Sequence, residues 1–240
     1  MATIPEVPES ISQMKIIVYK SRVDPAMLKQ KAEEMKNELF IKRFSKPKTE
    51  DIHVVSVDKH YEPYVLIDAK YRLEYYSKKV YTIDVAEKAK KIKILGETFQ
   101  PEKVVITNSE PEHFRKVIKI EAQEWSFYED KAYFILDKKG NEISPDQVPI
   151  APSEDNPKKL LNEFGKKTEK ISISNREVIM IAKTKLIKRP ADVDTIDNES
   201  FQVTEHAIIY NPIYIITFRN MRNKEEKIVR IDGVTAEVIH

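Results

Sequence analysis

The chain has 240 residues, of which 41% are hydrophobic and 33% charged, and its formal net charge is +2. This length is enough to bury a core in one or two domains. No apolar run reaches the roughly 18 residues of a membrane-spanning helix, and residues 1–10 lack the basic and apolar regions of a secretory signal. We therefore expect a cytoplasmic protein.

The absence of cysteine excludes disulfides, thiolate nucleophiles and cysteine-based zinc sites. Only four glycines, thirteen prolines and abundant Lys, Glu and Ile also fit the composition of a thermophile. The small net charge does not by itself indicate a protein that binds polyanions.

The first elements are a strand within residues 14–23 and a helix of about 15 residues. Asp24 is a predicted N-cap, and Pro25 suits the first helical turn. Apolar residues then recur at helical spacing as far as Leu39. The segment 42–51 reads as a charged loop.

Residues 52–150 read as strands rich in Val, Ile and Tyr. We predict a turn at Ser77–Lys79 and a hairpin whose turn spans Lys138–Asn141. The segment 144–157 has four prolines and no apolar period, so we predict a domain boundary near residue 150.

A second helix is predicted after Asn156-Pro157, with Gly165 as its C-cap. Residues 171–187 read as a strand. The last strands are predicted to join at residues 221–224.

Two stretches of Tyr-x-Pro precede apolar runs, at Tyr61–Pro63 and Tyr210–Pro212. We predict that each proline marks the start of a strand, since it cannot donate to the ladder. Pro63 lies 21 residues before Asp84 and Pro212 lies 20 residues before Asp232, and both acids follow an isoleucine. This order favours an internal duplication, although β-hairpins of similar length can share such spacing.

The predicted fold class is α+β, with two related β-rich modules that each have an antiparallel sheet and one covering helix. The first module spans residues 1–150 and includes an additional hairpin. The second spans residues 151–240.

No reaction is named by a motif. Isolated glycines exclude the phosphate-binding glycine loops, and no GxSxG elbow is present. Asp68, Asp84 and Asp232 interrupt apolar strands and are the best carboxylate candidates, with Asp232 expected in a tight turn before Gly233. We predict no catalytic, cofactor-binding or metal-binding residue.

We therefore expect a non-catalytic binding or assembly protein whose sheet faces and edges contact a protein partner. An RNA- or ribosome-associated factor is the alternative, and an enzyme of unfamiliar design is the second alternative. A homo-oligomer also fits this pattern. The candidate interaction surface comprises Tyr61, Pro63, Tyr71, Tyr75, Tyr210 and Pro212 with the basic residues Lys42, Arg43, Lys46 and Lys48.

Overall fold

The computed structural model describes residues 6–40, 49–106 and 113–239. The chain divides into two compact units, which we call unit 1 and unit 2. Unit 1 comprises residues 1–70, 131–187 and 201–240, and unit 2 comprises residues 71–130 and 188–200. Residue 150 lies within a segment of unit 1. The division into two modules at residues 1–150 and 151–240 stays a prediction.

Strands make up most of the described structure. They are β1 Glu9–Ile11, β2 Lys15–Val18, β3 Ile52–Val85, β4 Ile92–Ile94, β5 Glu97–Phe99, β6 Glu102–Ile106, β7 His113–Leu136, β8 Glu142–Ile143, β9 Thr195–Asn220, β10 Glu226–Asp232 and β11 Val238–Ile239. The main sheet has the order β11-β10-β9-β3-β7-β6, and β4 pairs with β5 in a separate hairpin. Within these described residues most of the pairing is antiparallel and three α-helices accompany it, which is consistent with the α+β class. The duplication stays a prediction.

The α-helices are α1 Pro25–Leu39, α2 Pro157–Phe164 and α3 Asn175–Leu186, and single 3-10 turns form at Thr49–Asp51, Pro145–Gln147 and Gly165–Lys167. The predicted starts of α1 and α2 are confirmed. Asp24 Oδ1 accepts a hydrogen bond from the amide of Ala26 at 2.6 Å, as an N-terminal cap does. Within the described residues, no helix combines the length and apolarity needed to cross a membrane.

The strand predicted for residues 171–187 is wrong, because α3 occupies most of it. Ser174 and Glu177 form a capping box, with each side chain bonded to the other's backbone amide. The buried side chains of α3 follow at helical spacing; they are Val178, Ile179, Ala182 and Leu186.

The turn predicted at Ser77–Lys79 is also wrong, because β3 runs through it without interruption. Ser77 is buried and its neighbour Lys78 is exposed, which is the alternation of a strand. Pro63 and Pro212 lie inside β3 and β9 and do not begin them. The hairpin turn at Lys138–Asn141 is confirmed, since Ile135 of β7 pairs with Ile143 of β8.

The apolar side of α1 packs in unit 1 against β9 and β10. Leu28 and Ala32 of α1 belong to one buried cluster with Ile216 and Phe218 of β9 and Ile231 of β10. One covering helix therefore buries one face of antiparallel strands, as a two-layer unit requires.

The predicted tight turn at Asp232-Gly233 is confirmed. Asp232 is buried, and its Oδ1 accepts hydrogen bonds from the amides of Val234 at 2.7 Å and Thr235 at 2.9 Å. The Gly233 amide donates to the carbonyl oxygen of Pro212 at 2.7 Å. A Cβ atom on Gly233 would lie 2.7 Å from the same oxygen and 3.0 Å from the Pro212 Cβ.

We expect Gly233→Ala to lower the free energy of unfolding by about 1–3 kcal/mol, because the added methyl group forces two backbones apart. Urea denaturation followed by circular dichroism measures this loss. Glu237→Ala, in an exposed position after the same turn, is the control and should change stability by less than about 0.5 kcal/mol. Equal stability of Gly233→Ala and the wild type would contradict the close approach.

Candidate functional site

The first Tyr-x-Pro stretch belongs to the interior of unit 1. Tyr61 is fully buried, and its ring meets the edge of Phe164 of α2 with the ring centroids 4.8 Å apart. Pro63 and Pro212 are buried, whereas Tyr210 is half-buried. The packing of α2 on β3 accounts for the burial of Tyr61.

Tyr71 and Tyr75 are buried in unit 2. The Tyr71 hydroxyl donates to Glu199 Oε1 at 2.6 Å, and Arg189 donates to both oxygens of the same carboxylate at 2.8 and 2.5 Å. Burial alone would raise the pKa of the Glu199 carboxyl, but the hydrogen bonds from Arg189 and Tyr71 lower it below its usual value. Burial also raises the pKa of Tyr71. This cluster fixes the segment 188–200 to β3.

Five of the six aromatic and proline residues of the predicted surface are therefore packing residues in the described structure. The four basic residues predicted to join them lie outside the described residues; they are Lys42, Arg43, Lys46 and Lys48. The RNA-associated alternative depends on those four and stays a prediction.

The three candidate carboxylates lie in unlike surroundings. Asp232 caps the turn described above and also accepts from Asn211 Nδ2 at 2.6 Å. Asp84 is exposed and pairs with Arg115 at 3.4 Å, and Asp68 is half-buried. Within residues 6–40, 49–106 and 113–239, no three or more acids and histidines converge as a metal site would require.

One face of unit 2 exposes large apolar side chains. Trp125 is 50% exposed and Phe127 is 52% exposed, and alternation along β7 puts both on the side of Glu129. The Glu129 carboxylate accepts a hydrogen bond from Arg72, so Arg72 of β3 lies on this side of the sheet as well. Val80 is eight residues further along β3, and strand alternation therefore puts it on the same side. The Val80 side chain is 59% exposed. We call Trp125, Phe127 and Val80 the aromatic face.

Charges of both signs surround the aromatic face. Arg72 pairs with Glu129, and Lys78 pairs with Asp194 at 2.9 Å. Unit 2 as a whole carries 13 Lys and Arg against 15 Asp and Glu, so it has no excess positive charge. This face is not among the predicted sites, although the Trp-x-Phe spacing in an alternating strand predicts two aromatic rings on one side.

The hairpin of β4 and β5 ends in a fully exposed Leu95. Ile94 pairs with Glu97, which leaves Leu95-Gly96 as a two-residue turn, and φ is +49° at Leu95 and +94° at Gly96. Two positive φ angles are typical of a type I′ turn, in which Asn-Gly is preferred. A leucine at this position is strained and gains nothing from burial.

Comparison of the chain with protein-family models, with curated proteins and with solved structures gives no match.

We expect Tyr71→Phe to lower the free energy of unfolding by about 1–3 kcal/mol, because it removes a hydrogen bond to a buried carboxylate. Tyr75→Phe is the matched control on the same side of β3. The Tyr75 hydroxyl makes no hydrogen bond within the described part of the chain, so this change should cost less than about 0.5 kcal/mol. Equal losses in urea denaturation would contradict the assigned role of Tyr71.

We expect Leu95→Asn to raise the free energy of unfolding by about 0.5–1 kcal/mol, because asparagine tolerates a positive φ better than leucine does. Leu95→Ala is the control, since it removes the exposed side chain but keeps the backbone strain. Thermal denaturation compares the three proteins. A Leu95→Asn protein no more stable than Leu95→Ala would contradict the strain at this turn.

Proposed function

We propose that the chain is a non-catalytic binding protein whose aromatic face docks onto a protein partner. The observation that supports this most is the position of the only tryptophan of the chain. Trp125 leaves half its surface in water beside the equally exposed Phe127. Tryptophan and other aromatic residues are enriched at the centre of protein interfaces, where they contribute most of the binding free energy.

The charge of unit 2 favours a protein partner over a nucleic acid. Nucleic-acid surfaces need an excess of Lys and Arg to neutralise phosphates. The exposed cations near the aromatic face, such as Arg72 and Lys78, are already paired with acids. A polar rim of mixed charge around apolar side chains is the usual arrangement of a protein interface.

The face is better suited to docking than the nearby sheet edge. Strand β6 ends the strand order of the sheet and pairs only with β7 within the described structure. It is five residues long and exposes Glu102 and Lys103. Short, charged edge strands discourage pairing with a strand from another molecule.

Leu95 supports a second contact with the partner. A fully exposed leucine in a strained turn lowers the stability of the free chain. Strained backbone conformations are found most often at functional sites such as binding surfaces. The proposal therefore expects Leu95→Asn to weaken partner binding while it stabilises the fold.

The test is affinity capture from an extract of the natural source cells by tagged wild type and by the Trp125→Ser/Phe127→Ser double variant. Nuclease treatment and about 0.5 M salt remove contacts that depend on nucleic acid or on surface charge. We expect a discrete protein partner to survive both treatments. Loss of two central aromatic side chains, each contributing about 2 kcal/mol or more, should abolish its capture.

Ile228→Ser is the matched control, because Ile228 is 64% exposed on β10 of unit 1 and lies outside the aromatic face. This control should capture as much partner as the wild type does. Equal capture by the double variant would contradict the proposal. Recovery of RNA or ribosomal proteins that disappear with nuclease would contradict it in favour of the RNA-associated alternative.

A further inference from the structure

We propose that a cavity in unit 1, between α3 and the N-terminal strands, binds a short-chain organic carboxylate that carries a second hydrogen-bonding group. The cavity has a volume of about 550 Å³. Small-molecule sites in proteins run from about 300 to 1,000 Å³, so its size suits such a ligand. This site is separate from the aromatic face and uses none of its residues.

An interruption in a parallel ladder opens the cavity. Strand β1 pairs with residues 201–203 of β9, and β2 pairs with residues 207–210 in the same register. Residues 12–14 would continue this ladder opposite residues 204–206, but they form no strand. The Ser12 amide still donates to the Val203 carbonyl oxygen at 3.1 Å, and the ladder resumes only at Lys15. Ser12 and His206 lie at this gap.

Two buried polar atoms at this gap have no hydrogen-bond partner. His206 is only 3% exposed and its Nε2 is unpaired, as is the buried Oγ of Ser12. Leaving buried polar atoms unpaired costs free energy, and both of these residues line the cavity. A ligand hydroxyl can satisfy them, since it both donates and accepts.

Burial lowers the pKa of His206, so its imidazole is neutral at pH 7. Ser12 and His206 form no hydrogen bond with each other, which is why we assign them to binding and not to nucleophilic catalysis. Of the carboxylate candidates from the sequence, neither Asp84 nor Asp232 lines the cavity.

One charge on the cavity wall is free to bind an anion. Lys183 pairs with Glu9 at 2.5 Å, whereas Arg176 is exposed and makes no ion pair or hydrogen bond with any other described residue. Arg176 lies in the first turn of α3, and the positive end of the helix dipole adds to its attraction for an anion. A guanidinium binds a carboxylate through two parallel hydrogen bonds.

Apart from the polar side chain of Asn175, the rest of the wall is apolar and sets which kind of ligand body it can contact. It is formed by Ile11, Met14, Ile179 and Met180. Methionine adapts its shape to hydrocarbon ligands, so a short alkyl chain fits beside these residues. The wall therefore favours a ligand with a carboxylate, a hydrocarbon chain and a hydroxyl.

The experiment titrates the isotope-labelled protein with 6-hydroxyhexanoate and follows amide and imidazole shifts by NMR. We expect saturable shifts at His206 and along α3 with a Kd of roughly 1 mM, as a ligand of this size allows. Two comparison ligands separate the contacts, because 6-hydroxyhexanamide lacks the charge and hexanoate lacks the hydroxyl. We expect each to bind about five- to ten-fold more weakly.

Two variants outside the core test which residue binds the carboxylate of the ligand and which binds its hydroxyl. Arg176→Gln should weaken 6-hydroxyhexanoate about ten-fold and leave the affinity for the amide unchanged. Ser12→Ala should weaken 6-hydroxyhexanoate but not hexanoate. Arg22→Gln is the matched control, because Arg22 is exposed, has no side-chain partner within the described residues and lies outside the cavity.

Two results would overturn the proposal. One is the absence of saturable shifts up to about 20 mM 6-hydroxyhexanoate, roughly twenty times the expected Kd. The other is equal affinity for the acid and the amide together with no effect of Arg176→Gln. Neither result bears on the capture experiment with the aromatic face, since the two sites share no residue.

Discussion

Unit 1 depends on one buried carboxylate that joins four segments distant in sequence. Glu62 of β3 bonds to Lys138 at 3.2 Å and to Arg230 of β10 at 2.9 Å, and both cations also contact Glu169 after α2. A buried charge is costly unless it is paired, so these segments must meet in one arrangement. Tyr61 and Pro63, the residues on either side of Glu62, are buried as well.

Local chemistry explains why parts of the fold could be predicted. The start of α1 follows from the capping residue Asp24 and a proline, whereas α2 begins at a proline with no side-chain cap from Asn156. The turn at Asp232 follows from the preference of Asp-Gly for turns. The sequence of α3 was predicted as a strand because four of its twelve residues are β-branched, and the Ser174–Glu177 capping box was not recognised. The local sequence around Ser77 does not predict that β3 continues through it, because residues distant in sequence bury Ser77.

The sequence could predict that Trp125 and Phe127 share a side of β7, but not that this side is exposed, for a related reason. Tyr71 and Trp125 lie in similar alternating strands, yet Glu199 and Arg189 cover the tyrosine while the tryptophan faces water. Which side of a strand is covered depends on segments far away in sequence. The cavity at His206 likewise depends on the gap between β1 and β2, which lies more than 190 residues before the part of β9 that both strands pair with. Both features therefore require the folded structure.

The most direct test of the central claim places a photo-reactive phenylalanine analogue at Gln123, which is exposed on the same side of β7 as Trp125. The same analogue at Lys158, exposed on α2 of unit 1, is the reference. Irradiation in the source cells, followed by mass spectrometry, identifies what lies against each position. The account predicts one protein cross-linked from position 123 and not from position 158. RNA at position 123, or identical products from both positions, would contradict it.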